Sequence, residues 1–186
     1  VAKNFIKTKP IPFETNTVND ILLFTSKNAV KSILKNPRSI SQKKCICVGN
    51  KTKKYLEKKG FAIIGYRENA EELANFIVEK HKEKTYTFFS GNLRRNDLPR
   101  ILDENHIIYN EITVYETILK PHKLELNFDG ILFFSPSWVF SYLKKNELKN
   151  EVCFCIGKTT AKALENKTTK IKITNQPSVE NVIEEV

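Results

Sequence analysis

The sequence is poor in the residues that mark several common functions. Six glycines and seven prolines in 186 residues exclude a low-complexity or disordered chain. The glycines are also isolated. Gly49 and Gly157 each stand alone after an apolar run, so neither a Walker-type phosphate loop nor a dinucleotide fingerprint can be built. The three histidines, His81, His106 and His122, lie far apart with no metal-ligand spacing, and none completes a zinc pattern with the cysteines. No G-x-S-x-G elbow is present. No apolar run reaches the ~18 residues of a membrane-spanning helix, and no signal-peptide pattern is present. The expected location is the cytoplasm, with no metal and no cofactor.

What the chain does have is apolar bulk and positive charge. Hydrophobic residues make up 40%, with twelve Phe and six Tyr to fill cores. Lysine and arginine outnumber the acids by 31 to 21, giving a net charge of +10. A field of that sign steers anions toward the protein. Nucleic acid, an acidic membrane surface and a polycarboxylate metabolite all satisfy it, and surplus lysine also serves solubility. The cysteines form two C-x-C pairs, Cys45/Cys47 and Cys153/Cys155, inside apolar runs. Neighbours two apart on a strand are awkward partners for a disulfide, so they read as buried thiols of a reducing compartment.

Apolar runs alternate with helical periodicity along the whole chain. Val1–Ile11 reads as a strand already in progress. Asp20–Thr25 is a continuous apolar strand of the kind covered on both faces of a parallel sheet. A helix follows, capped by Ser26 or Asn28 and ended by Pro37. Strands are expected at 44–48, 61–66, 86–89 and 107–115, with helices at 50–59, 71–81 and 98–105 between them. The pattern then restarts: strands at 129–134, 152–156 and 170–173, helices at 139–144, 159–166 and 178–185. Strand and helix in turn imply parallel sheets with helices outside.

The restart is a repeat. Residues 20–30 (DILLFTSKNAV) align with 129–139 (DGILFFSPSWV), and 45–52 (CICVGNKT) with 153–160 (CFCIGKTT). Ser26 and Gly49 are 23 residues apart; Ser135 and Gly157 are 22 apart. Unrelated α/β units would not repeat C-x-C-apolar-G-x-x-T, so the chain is expected to contain two diverged copies of one unit. Each copy sets small polar residues where a strand gives way to a helix. Ligands of open parallel sheets bind beyond those strand ends, where helix starts offer N–H groups and positive dipole ends. Thr25, Ser26, Asn28, Gly49 and Thr52 in one copy are thus candidate binding residues. So are Ser135, Pro136, Ser137, Gly157, Thr159 and Thr160 in the other. Helix capping is the competing use of each hydroxyl.

Two further stretches stand out. Ser90-Gly91-Asn92-Leu93-Arg94-Arg95 couples a turn to two guanidiniums suited to carboxylates. Tyr115, in Val114-Tyr-Glu-Thr117, ends a strand where it can donate or relay a proton or anchor a hinge.

These positions also carry a family likeness. FTSKNAV (24–30), VGNKT (48–52), FFSGNLRR (88–95), VYET (114–117), FFSPS (133–137) and IGKTTAKAL (156–164) occur in the order found in uroporphyrinogen-III synthase, which the chain resembles over nearly all its length. The resemblance implies two similar α/β domains joined by a two-stranded linker, one of them discontinuous. The inserted middle domain would be 14–116. The linker strands and the second domain would be 1–13 and 117–186, without the family's opening strand, its usual Arg and the helix after it.

The implied reaction cyclises hydroxymethylbilane, a linear tetrapyrrole with eight carboxylates, to uroporphyrinogen III. Loss of the ring A hydroxyl gives an azafulvene cation. Ring D attacks through its substituted α-carbon, and the resulting spiro intermediate recloses with ring D inverted. The resemblance makes Tyr115 the candidate for assisting hydroxyl departure and places Arg94, Arg95, Thr159 and Thr160 at substrate-facing turns. It implies a monomer with a small-molecule partner, binding neither nucleic acid nor membrane. Trp138 departs from the pattern, standing where the family usually has Gly; it would narrow a cleft, stack on a pyrrole or pack on the linker. An inactive relative that holds an acidic metabolite is the alternative. A nucleic-acid-binding module fits less well, because the basic residues are dispersed.

Overall fold

A computed structural model describes residues 1–35, 40 and 42–186. Pro37, expected to end the first helix, lies outside them. The chain divides into two compact units. Thr8–Thr117 forms one, and Val1–Lys7 with Ile118–Val186 forms the other, which is therefore discontinuous in sequence.

The continuous unit is built on a six-stranded sheet. The strands of that sheet are β1 (Ile6–Pro10), β2 (Ile21–Phe24), β3 (Lys44–Val48), β4 (Ala62–Arg67), β5 (Tyr86–Gly91) and β6 (Tyr109–Leu119), in the order β1-β6-β5-β2-β3-β4, with β1 and β6 each crossing the boundary between the units. The β6–β5, β5–β2, β2–β3 and β3–β4 pairs are parallel. β1 runs antiparallel to β6, with the Ile11 N–H on the Val114 carbonyl (2.8 Å) and the Lys120 N–H on the Phe5 carbonyl (2.8 Å). That ribbon continues β6 four residues past the expected end at Tyr115.

Parallel strands need crossovers, and four helices supply them: α1 (Lys27–Ile33), α2 (Asn50–Lys58), α3 (Ala70–Lys80) and α4 (Asp97–Glu104). Their apolar stripes cover both faces of the sheet. Ala29, Val30 and Ile33 of α1 and Leu56 of α2 pack with Leu22, Phe24, Cys45, Cys47 and Phe89. Leu73, Ala74 and Ile77 of α3 and Leu98, Ile101 and Leu102 of α4 pack on the opposite face with Ile21, Leu23, Ile46, Tyr86 and Phe88. Alternation along each strand sends neighbours to opposite cores, which is why DILLF and KCICV carry no polar positions in their interiors. Far from the helix starts, Asn19 fixes the register. Its N–H donates to Thr87 Oγ1 (2.8 Å), and its Nδ2 donates to Asn110 Oδ1 (2.9 Å).

The discontinuous unit carries a three-stranded parallel sheet, β7 (Gly130–Phe133), β8 (Val152–Cys155) and β9 (Ile171–Ile173), in that order. Its helices are α5 (Pro136–Leu143), α6 (Lys158–Lys162) and α7 (Val179–Glu184). Phe5, Phe133, Val139, Tyr142, Cys153, Cys155 and Leu164 form its core. α6 stops well short of the expected Asn166. The chain tightens into successive turns there, and Asn166 takes a left-handed conformation at φ 61°.

All four cysteines are free thiols with no measurable exposure. Burial raises each of them; Cys45 and Cys155 are pushed up to about 12 and Cys47 and Cys153 to about 11. Among the described residues no helix is long and apolar enough to cross a membrane.

Leu22 and Leu23 are both fully buried on opposite faces of β2. Leu22→Ala and Leu23→Ala should therefore each cost ~2–5 kcal/mol, the usual range for an emptied core site. Denaturant titration checks this. One variant near neutrality would mean that one face of the sheet is not covered.

Candidate functional site

In the continuous unit the expected residues gather on one edge. The register pairs Phe24 with both Phe89 and Cys47, so Thr25–Ser26 leaves the sheet beside Ser90–Gly91 on one side and Val48–Gly49 on the other. β5 in turn pairs with β6 up to Gly91 opposite Tyr115. The crossovers from β2 and β5 depart to opposite faces, through α1 and α4. Their shared end is the topological switch point of the sheet, the position where open α/β sheets take ligands.

Each group on this edge has a local reason for its place. Ser26 is the N-cap of α1, and its Oγ accepts from the Asn28 N–H (3.1 Å). The helix start is thus closed by the serine, and Asn28 is half-buried in its first turn. α2 begins differently. Gly49 precedes it at φ 83°, a conformation that favours glycine, and no side chain caps the helix. A methyl at Gly49 would meet nothing within 4 Å, so the backbone there faces open space. Thr52 is buried in the first turn.

Gly91 has the opposite surroundings. A methyl there would overlap the Tyr115 ring and lie 2.7 Å from its hydroxyl. The register slips between Ser90/Thr113 and Gly91/Tyr115, so Val114 is an extra residue on β6. This bulge turns the half-buried Tyr115 over Gly91, the kind of re-aiming that bulges provide.

The turn after β5 is tied back to β6. Arg94 makes a two-pronged pair with Glu111, Nε to Oε1 and a terminal nitrogen to Oε2 (2.8 Å each), and also donates to Asn96 Oδ1 (2.8 Å). The guanidinium is therefore spent largely inside the unit. Burial works to raise the Glu111 carboxyl. Hydrogen bonds from Arg94, a polar contact from Ser90 and the Arg94 charge together outweigh it, holding Glu111 below the 4.5 of a free glutamate. Ser90 Oγ, 2% exposed as a residue, lies within polar reach of that carboxylate but off the geometry of a regular hydrogen bond. Arg95 is exposed and pairs with Asp97 (2.5 Å). Asn92, also expected to bind substrate, uses its Oδ1 to accept from the Thr117 N–H (2.8 Å).

The discontinuous unit repeats the plan. Phe133 pairs with Cys155, which sets Ser135 near Gly157 at the ends of β7 and β8. Ser135 caps α5, accepting from the Trp138 N–H (3.4 Å) and touching the Ser137 hydroxyl (2.9 Å); Pro136 occupies the first turn, where its missing N–H costs nothing. Gly157 starts α6 with extended backbone, no cap and open space around it. Thr159 is exposed, whereas Thr160, like its counterpart Thr52, is buried. Trp138 packs edge-on to Phe134 (5.5 Å) and tilted against Phe5 (6.5 Å). Trp138 also lines a cavity of about 550 Å³ with Phe128, Phe133, Tyr142 and Ile183. That cavity is apolar and contains none of the Ser and Thr turns, so it does not coincide with them. Among the described residues no cluster of His, Cys, Asp or Glu could hold a metal ion.

The sequence matches the family Uroporphyrinogen-III synthase HemD over residues 3–184. The chain belongs to the uroporphyrinogen-III synthase family. It is thereby grouped with lyases of tetrapyrrole biosynthesis that cyclise and dehydrate hydroxymethylbilane. A uroporphyrinogen-III synthase of Chlorobaculum parvum is 28% identical over 176 residues, covering 82% of this chain and 72% of that protein. The crystal structure of uroporphyrinogen-III synthetase from Helicobacter pylori 26695 superposes with a TM-score of 0.78 at 27% identity, over 97% of this chain and 88% of that one. A mutant uroporphyrinogen III synthase from the extremely thermophilic bacterium Thermus thermophilus shares the fold at 13% identity, with a TM-score of 0.62 over 96% and 82% of the two chains.

Sequence reasoning found Arg94 but not its partner. Glu111 sits 17 residues on and reaches Arg94 only through the parallel register of β5 and β6. Breaking this half-exposed pair by Arg94→Ala should cost about 1–2 kcal/mol, between a solvated and a sequestered charge-assisted bond. Because the folded carboxyl titrates below the unfolded one, its contribution is complete above about pH 4.5 and fades as pH falls through the folded value. Glu111→Gln should flatten stability against pH in that acid window. An unchanged profile would show that the pair contributes nothing.

Proposed function

We propose that this chain converts hydroxymethylbilane to uroporphyrinogen III, closing the ring with inversion of ring D through a spiro intermediate and loss of water. The observation that carries the reading is Tyr115, turned by the Val114 bulge over Gly91 at the switch point of the continuous unit. A phenol there can donate a hydrogen bond to the departing ring A hydroxyl. The phenol's proton passes to the hydroxyl as the C–O bond breaks, so water leaves; ring D attacks the azafulvene cation that remains, and the proton that ring D sheds on final closure restores the phenol.

The substrate is electron-rich and closes unaided without inversion. The protein's task is to hold one conformation and favour one closure, which positioning and electrostatics accomplish without a triad. Donors on the strand-end edges suit that task. Thr25, Ser26, Asn28 and Gly49 in one unit, and Ser135, Pro136, Ser137, Gly157 and Thr159 in the other, offer hydroxyls, N–H groups and helix starts to a substrate with eight carboxylates, whereas Thr52, Ser90, Gly91 and Thr160 are buried and shape those edges from within. The net charge of +10 adds long-range attraction for it. Arg94 acts from behind this edge, with its free donor capacity reduced by Glu111. We read the protein as a cytoplasmic monomer that needs no cofactor, since the substrate itself supplies the reactivity.

The test supplies hydroxymethylbilane generated in place and separates the type III from the type I product. The protein should raise type III well above background, and product at the type I background alone would overturn the reading. Tyr115→Phe should slow turnover at least about tenfold if the phenol assists departure. An unchanged rate would remove that role while leaving the synthase assignment intact.

A further inference from the structure

Tyr115 directly follows a bulge, where the ladder is locally disrupted, so its seat over Gly91 depends on the contacts that re-form around it. The contacts around it supply that fixation. On the β1 side, the Val114 carbonyl accepts from the Ile11 N–H at 2.8 Å. On the β5 side, the Tyr115 carbonyl accepts from the Asn92 N–H at 3.2 Å. Two residues further along, the Thr117 N–H is taken by the Asn92 side chain at 2.8 Å. Asn92 thus grips the segment before and after Glu116, once with its backbone and once with its amide oxygen. It extends the β5–β6 ladder past Gly91, where the β5 strand ends.

Asn92 is in turn held in place. The Arg94 N–H closes a turn on the Gly91 carbonyl (3.1 Å), and the Arg94 guanidinium anchors that turn on Glu111 of β6. An exposed asparagine in a turn would ordinarily be interchangeable with serine or aspartate. Here its side chain has a defined acceptor task on another strand.

We infer that Asn92 is a positioning residue for the cyclisation: its side-chain oxygen clamps the Thr117 amide so that the Tyr115 phenol stays seated over Gly91. The inference rests on the reading of Tyr115 as the group that assists hydroxyl departure. It gives Asn92 a role different from direct contact with a substrate carboxylate.

The separating measurements are steady-state kinetics and amide hydrogen exchange at Thr117 on Asn92→Ala and Asn92→Asp. Aspartate keeps the acceptor oxygen and alanine removes it. Asn92→Ala should lower kcat about tenfold with KM within twofold, and Thr117 should exchange at least about tenfold faster, a split that marks lost transition-state rather than ground-state interaction. Asn92→Asp should recover both to within about threefold. A raised KM with unchanged kcat, unaltered Thr117 exchange in Asn92→Ala, or an aspartate no better than alanine would each overturn the clamp. The Tyr115→Phe background distinguishes the two layers. If Tyr115→Phe runs at the full rate, the tyrosine reading falls, and the catalytic purpose of the clamp with it. If Tyr115→Phe is slow but adding Asn92→Ala costs a further full tenfold, the tyrosine reading stands and the clamp is overturned.

Discussion

A parallel strand covered on both faces has no solvated side on which polar groups can rest, and β2 takes that constraint to its limit. Ile21, Leu22, Leu23 and Phe24 are all buried, divided between a core with α3 and α4 and a core with α1 and α2. Such a strand can become polar only at its ends. Asn19 and its partners Thr87 and Asn110 occupy the amino end, where they lock the register. Thr25 and Ser26 occupy the carboxyl end, beside the ends of β3 and β5. The chemistry of the unit is concentrated on that edge because burial forbids it elsewhere.

The two copies of the repeat keep this logic while differing in detail. Ser26 and Ser135 cap their helices in the same way, each accepting from the first turn. Thr52 and Thr160 are both buried. The shared threonine is thus explained first by packing in the first turn. Gly49 and Gly157 diverge: the first needs a left-handed backbone, the second is extended. What they share is an uncapped helix and space above it, and a side chain at either point would fill that space.

The fold was legible wherever burial on both faces forced an unbroken apolar run. β3 and β7 lie at or within one residue of their expected positions for that reason, and the apolar run and the repeat together marked the restart at 129. Features set by distant partners were not legible. On the apolar pattern β6 ends at Tyr115, because its alternating polar positions give no apolar signal; pairing with β1 carries it to Leu119, and only the family likeness implies a linker strand there. α6 ends early because the chain turns, against a helical periodicity that continued to Asn166. At the site, Ser26, Gly91 and Tyr115 were visible as residue types at strand ends. The bulge at Val114, the Arg94–Glu111 pair and the Asn92–Thr117 bond depend on register between strands, which sequence spacing does not encode.

The buried thiols give the molecule a means of reporting its own opening. Each unit holds two cysteines that are inaccessible, and burial keeps them protonated well above neutral pH. Thiolate chemistry therefore waits for the surrounding core to part. Since Cys45 and Cys47 belong to one unit and Cys153 and Cys155 to the other, alkylation followed by peptide mapping would time the opening of each core separately, in one sample and without any introduced label.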